Sequence, residues 1–136
     1  MVLVDTSVWV EIFRDRSGRM KKALADTLAG DEAMLSRFTE LELLQGCRDE
    51  REWKLLRSYL DSQDYLDMSP SSWGEAARVY FDLRRTGRTV RSPIDCCIAQ
   101  LSMDHDVLLL HRDRDFEVIS EVRPLRQRTL SWQTRS

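Results

Sequence analysis

Short apolar runs alternate with longer stretches of helical periodicity along this chain. Val2, Leu3 and Val4 form an uninterrupted run, the pattern of a strand buried on both faces. Thr6 or Ser7 then offers a cap to a helix with Val8, Trp9, Ile12 and Phe13 on its apolar side. Met20, Ala23, Leu24 and Leu28 repeat at helical spacing until Gly30. Met34 and Leu35 mark a second short strand. "TELELLQG" reads as a helix closed by Gly46, and Trp53, Leu56 and Leu60 give another from about Asp49 to Ser62. Tyr65 to Met68 is a third strand candidate. "SPSSWGEAARVYFDLRRTG" has Ser72 and Glu75 in capping-box register and ends at Gly87. Ser92 followed by Pro93 starts the next helix, as an N-cap and a first-turn proline. Val107 to Leu110 is a buried strand.

Strands that alternate with helices in this way predict an α/β fold, with a mostly parallel central sheet of about five short strands and helices on both faces. No repeat or low-complexity linker divides the chain. Residues 1–136 therefore read as one domain, and 123–136 as a basic segment that forms a last strand or a tail, with Arg123, Arg126, Arg128 and Arg135 and no acid.

Composition narrows the class. At 42% hydrophobic and 32% charged residues, the chain reads as a soluble globular protein. No apolar run approaches the ~20 residues of a membrane span, and the N-terminus lacks the pattern of a signal peptide. Cys47, Cys96 and Cys97 are odd in number and without CxxC spacing, which points to reduced thiols and the cytoplasm. A formal net charge of −2 leaves any nucleic-acid contact to local patches.

Acids stand where strands end. Ligands of an open parallel sheet bind beyond the carboxyl ends of its strands, where strand order reverses. Asp5 follows the first strand, Asp113 and Asp115 follow "VLLL", and Glu42 and Asp95 fall in the first turns of helices that start near the same edge. If the first strand and Val107–Leu110 are neighbours, Asp5, Asp95 and Asp113 converge with Glu42 at the rim. Such a cluster needs charge compensation. A hard divalent cation, Mg²⁺ or Mn²⁺, supplies it through oxygen ligands, activates water and neutralises a phosphodiester under attack. Zn²⁺ fits poorly, since no His/Cys cluster has the spacing. Each acid also has a local reading. Asp5 is a plausible helix cap, Thr39-x-x-Glu42 spells a capping box, Asp95 is an N3 anion, and Asp113 and Asp115 are plausible turn acids.

"VLVDTSVWVEIF", "TELELLQG", "SPIDCCIAQ" and "HRDRDF", in this order, resemble the PIN-domain ribonucleases, in particular the VapC-type toxins of prokaryotic toxin–antitoxin pairs. The likeness runs from residue 2 to about 116. It implies that Asp5, Glu42, Asp95 and Asp113 match the family's acidic quartet. It further implies a Mg²⁺- or Mn²⁺-dependent endoribonuclease, dimeric, that cuts transfer RNA or another structured RNA and is held inactive by a VapB-type antitoxin protein. One departure is His111, where many relatives carry Thr or Ser two residues before the fourth acid.

Around the quartet, Thr6, Ser7 and Asp115 are candidates to support the ligands. Arg84, Arg85, Arg88 and Arg91 are candidates for RNA phosphates, or for pairing with a helix C-terminus. His105 and His111 read as structural or peripheral. Trp9, Trp53 and Trp73 suit core packing or partner contacts, and Trp132 lies in the basic tail. Three rivals compete with the nuclease. An aspartyl-nucleophile phosphatase needs a second Asp where Ser7 stands. A receiver-like domain needs an acid pair near the first strand. A non-catalytic PIN-like binding domain keeps the fold without the activity.

Overall fold

The computed structural model describes residues 1–131. Trp132 and Arg135, considered above, lie outside the described residues. The elements run β1 (Val2–Val4), α1 (Thr6–Arg14), α2 (Arg19–Leu28), β2 (Ala33–Ser36), α3 (Arg37–Gln45), α4 (Glu50–Asp61), β3 (Asp64–Leu66), α5 (Ser72–Arg85), α6 (Pro93–Asp104), β4 (Leu108–His111), α7 (Asp115–Ile119) and β5 (Gln127–Thr129). All strand pairs are parallel, in the order β3-β2-β1-β4-β5. The chain winds outward from β1 to β3, then returns to place β4 on the other side of β1. The strand order therefore reverses beside β1, whose Val4 stands level with Leu110.

Burial of both faces explains the unbroken apolar strands. Leu3 and Leu109 point into one core, with Val79 and Leu83 of α5, Ile98 and Leu101 of α6, and Phe116 and Ile119 of α7. Val2, Val4, Leu35 and Leu110 point into the other, with residues of α1, α2, α3 and α4. A parallel strand alternates its side chains between two apolar layers, so the middle of each central strand is apolar on both faces.

Several helix starts differ from those read in the sequence. Asp5, not Thr6 or Ser7, is the N-cap of α1. Ser36 caps α3 by accepting from the Thr39 backbone N–H, so the helix begins two residues before Thr39. Thr39 and Glu42 thus form no capping box, and Glu42 falls in the second turn rather than the first. Ser71 stands at the cap of α5, but its side chain caps no backbone N–H. Ser72 instead donates to Asp104 at 2.5 Å and accepts from the Ser69 N–H, so its predicted box with Glu75 is absent. The third strand starts at Asp64 and stops at Leu66, short of Met68. Ser92 caps α6 with Pro93 in its first turn, as its sequence predicts. Only Trp9 among the described tryptophans is core, packed on Phe13 and Tyr59, while Trp53 and Trp73 are 42% and 53% exposed.

The central strand should tolerate little. Leu3 is fully buried between the ladders to Met34 and Leu109. We expect Leu3→Ala to lower unfolding free energy by about 2–5 kcal/mol, read from urea denaturation. A loss below about 0.5 kcal/mol, the scale of a surface change, would contradict this packing.

Candidate metal centre

The carboxyl end of β1 delivers Asp5 to the switch point. Its backbone N–H donates to Leu110 O at 2.9 Å. Its Oδ2 accepts from the Ser7 N–H at 3.0 Å and the Ser7 hydroxyl at 2.6 Å. Ser7 Oγ in turn accepts from the Arg112 backbone N–H at 2.8 Å, which ties α1 to the loop after β4. Capping and site are therefore one role here: the same carboxylate caps α1 and lines the cleft. Asp5 is only 5% exposed. Burial pushes its carboxyl above the usual range, against the pull of the Ser7 bonds, and Asp113 adds repulsion.

Glu42 arrives from α3, which packs in the same helical layer as α1. Thr6 Oγ1 donates to Glu42 Oε1 at 2.7 Å and lies 2.8 Å from Thr39 Oγ1, which lies 3.4 Å from Ser36 Oγ. A hydroxyl has one proton. Thr6 uses its own on Glu42, so Thr39 donates to Thr6, and Ser36 to Thr39. Three hydroxyls thus point in sequence toward one carboxylate. Burial raises the Glu42 pKa, the Thr6 bond opposes this, and Asp5 and Asp113 raise it further.

Asp95 is the third residue of α6 and Asp113 follows β4. Carboxylate oxygens of Asp95, Asp113 and Asp115 lie within 4.8 Å of one another. Asp115 therefore belongs to the same tight group as Asp95 and Asp113. Asp5 and Glu42 border the same cleft outside that tight group. Asp113 Oδ1 accepts from the Asp115 N–H at 2.9 Å. Arg91 pairs with Asp113 through its guanidinium and with Asp115 through its backbone N–H at 3.0 Å. Asp95 is pushed up to about 8, first by burial, then by repulsion from Asp113 and Asp5, with a proton-sharing contact to Asp115.

The cleft holds about 390 Å³ and is also lined by Glu11 and Arg112, which the sequence did not single out. Glu11 stands one helical turn beyond Ser7, so its spacing on α1 carried the signal. Of the four arginines read as RNA ligands, Arg88 pairs with Glu121 and Arg91 with the site acids. Arg84 and Arg85 lie 5.6 and 5.7 Å from the Tyr80 and Phe81 rings. A second, apolar groove of about 860 Å³ runs between α1, α3 and α4 past Phe13, Leu55 and Tyr59, and shares Val10 and Glu42 with the cleft.

The donor set is oxygen throughout. Both His111 ring nitrogens already have partners, and the buried Cys96 thiol is pushed up to about 12, so neither offers a soft ligand. These residues fit a hard divalent cation.

The PIN domain model matches residues 2–122. The chain belongs to the PIN-domain family. This PIN domain is 35% identical over 126 residues to Ribonuclease VapC11 of Mycobacterium tuberculosis, covering 90% of this chain and 93% of that one. Its fold matches VapBC-1 from nontypeable Haemophilus influenzae at TM-score 0.76 and 17% identity, covering 97% and 98% of the two chains. It also matches VapBC-5 of Mycobacterium tuberculosis, a member of the VapBC family of toxin-antitoxin systems, at TM-score 0.64 and 19% identity over 94% and 95%. Among the described residues, no helix of this PIN domain is long and apolar enough to cross a membrane.

The crowd of acids has a pH signature. Native Asp95 binds a proton up to about 8, against 3.8 for a carboxyl in an unfolded chain. Between those values the metal-free native state holds a proton that the unfolded state has lost, so stability falls as pH rises. Asp5 and Glu42 act in the same direction. We expect thermal melts in EDTA to drop from pH 5 to pH 8, and Asp95→Asn to flatten that drop. An unchanged slope in the variant would contradict the clustering.

Proposed function

We propose that this PIN domain is a metal-dependent endoribonuclease, the toxin of a toxin–antitoxin pair, and that it hydrolyses phosphodiester bonds in transfer RNA or another structured RNA. One observation carries the reading: acids from four separate elements line one cleft at the switch point of the sheet, and donors hold Asp5, Glu42 and Asp113 in place. Asp5, Glu42, Asp95 and Asp113 are assigned as ligands of Mg²⁺ or Mn²⁺, with Thr6, Ser7 and Asp115 in support. The cation, when bound, is a Lewis acid that activates water and neutralises charge at the phosphodiester. The protein's part is geometric. Ser7 and Thr6 orient Asp5 and Glu42, and Arg112 closes the wall by its bond to Ser7. Arg84, Arg85, Arg88 and Arg91 are assigned to RNA phosphates along the approach. The names of the VapC relative and the VapBC structures support this assignment of substrate and partner.

The partner is assigned as a VapB-type antitoxin seated in the apolar groove. Its lining of Phe13, Leu55 and Tyr59 is apolar and exposed. Because the groove shares Glu42 with the cleft, a segment lying in it reaches the acids directly. A second copy is assigned to the α3–α5 face, where Leu41 and Trp73 are exposed and Trp73 meets Phe38 edge-on at 6.0 Å. The cytoplasm is the assigned compartment, in keeping with three free thiols.

Purified protein should cut RNA with Mg²⁺ or Mn²⁺ and stop in EDTA. Asp5→Ala should lower the cleavage rate by roughly 100-fold or more, through loss of a ligand from a shared site. It should also relieve growth arrest when the toxin is expressed without its partner. Cleavage that persists in EDTA, or a fully active Asp5→Ala, would refute the proposal.

A further inference from the structure

His111 is the last residue of β4, and its imidazole is fully buried. A buried imidazole with both nitrogens engaged has a defined proton position. The Asp113 backbone N–H meets Nδ1 at 3.1 Å. An amide N–H only donates, so Nδ1 is the acceptor and carries no proton. Nε2 then carries the ring proton and donates it to Gln127 Oε1 at 2.6 Å. The Phe116 ring packs against the imidazole at a centroid distance of 5.0 Å and limits its rotation.

We infer that His111 is a positioning residue, which holds Asp113 at the site through its unprotonated Nδ1 while Gln127 fixes the ring. The inference rests on the metal-centre reading above and extends it to two residues that touch neither substrate nor cation. The loop after β4 is short, and two of its side-chain clasps act on Asp113 and Asp115 in series. His111 Nδ1 accepts from the Asp113 N–H, and Asp113 Oδ1 accepts from the Asp115 N–H. The first sets the backbone at Asp113 directly from the imidazole, and the second, built on that backbone, sets its side chain. Gln127 lies at the start of the edge strand β5, whose pairing with β4 aligns it with Leu109. The outermost strand is thus connected to the acids through one ring. Partners of this kind orient metal-binding groups by restricting their torsions.

Two substitutions separate positioning from packing. Asn places its amide oxygen near the Nδ1 position, and Gln extends its amide toward the Nε2 position. His111→Asn should bind Mn²⁺ within about threefold of wild type. His111→Gln should weaken Mn²⁺ binding by about 10–100-fold, the usual range for loss of a supporting partner, with kcat falling in parallel. A residue that only fills volume would favour the larger Gln. The wild-type protein offers a test free of folding effects: ¹⁵N NMR of the metal-free chain should show an unprotonated Nδ1 and a protonated Nε2. The opposite tautomer, or His111→Gln binding Mn²⁺ as tightly as His111→Asn, would overturn the inference. Absence of Mn²⁺ binding by wild type would instead overturn the metal centre, with the tautomer still deciding the role of His111.

Discussion

Mutual repulsion among carboxylates is the force that this architecture must contain. Asp5, Glu42, Asp95 and Asp113 come from both helical layers and from two strand ends and line a cleft of about 390 Å³, with Asp115 beside Asp95 and Asp113. Left in water they would separate. The two apolar cores fix the strands and helices that carry them, and a ring of donors holds most of them individually. Ser7 holds Asp5, the Ser36–Thr39–Thr6 hydroxyls hold Glu42, and the Asp115 N–H with Arg91 holds Asp113. Asp95 relies most on its surroundings, and its carboxyl is pushed up to about 8. Charge placed against its own repulsion creates affinity for a cation, which is how stability given up in the metal-free protein becomes function.

The central strands were legible because a strand buried on both faces leaves an unbroken apolar run, while their order in the sheet entered only as the condition that the first strand and Val107–Leu110 be neighbours. Asp5 stood out as the polar residue immediately past such a run, and Asp113 as an acid three residues past another. Helix starts were harder to read. A Ser/Thr-x-x-Glu spacing occurs by chance in a polar chain, and only the backbone shows whether the first residue has left the helix. So Ser36 took the role read for Thr39, and Ser72 turned to Asp104. The short helix α7 left no periodic signal in five residues, although Phe116 and Ile119 anchor it in the core. Glu11 and Gln127 were missed because their relevance comes from neighbours distant in sequence. The reading of Asp5 as either cap or ligand assumed that a carboxylate has one task. Two oxygens allow it two.

The same crowding links regulation to catalysis. Arg91 already lies across Asp113 and Asp115 with most of its side chain in solvent, so its pairing with them is exchangeable. The apolar groove ends at Glu42, where a partner segment that carries a cation can meet the same negative field that attracts a metal. Inhibition by a protein and activation by an ion then draw on one electrostatic feature. In the proposed function, neutralising that feature also favours the approach of RNA, itself an anion.

Anomalous diffraction from crystals soaked in Mn²⁺ tests this account most directly. It should reveal an ion in the cleft, bound by carboxylate oxygens from the first strand end, the start of α6 and the turn after β4. A cleft without Mn²⁺ at concentrations that support RNA cleavage, or an ion bound only elsewhere on the surface, would contradict it.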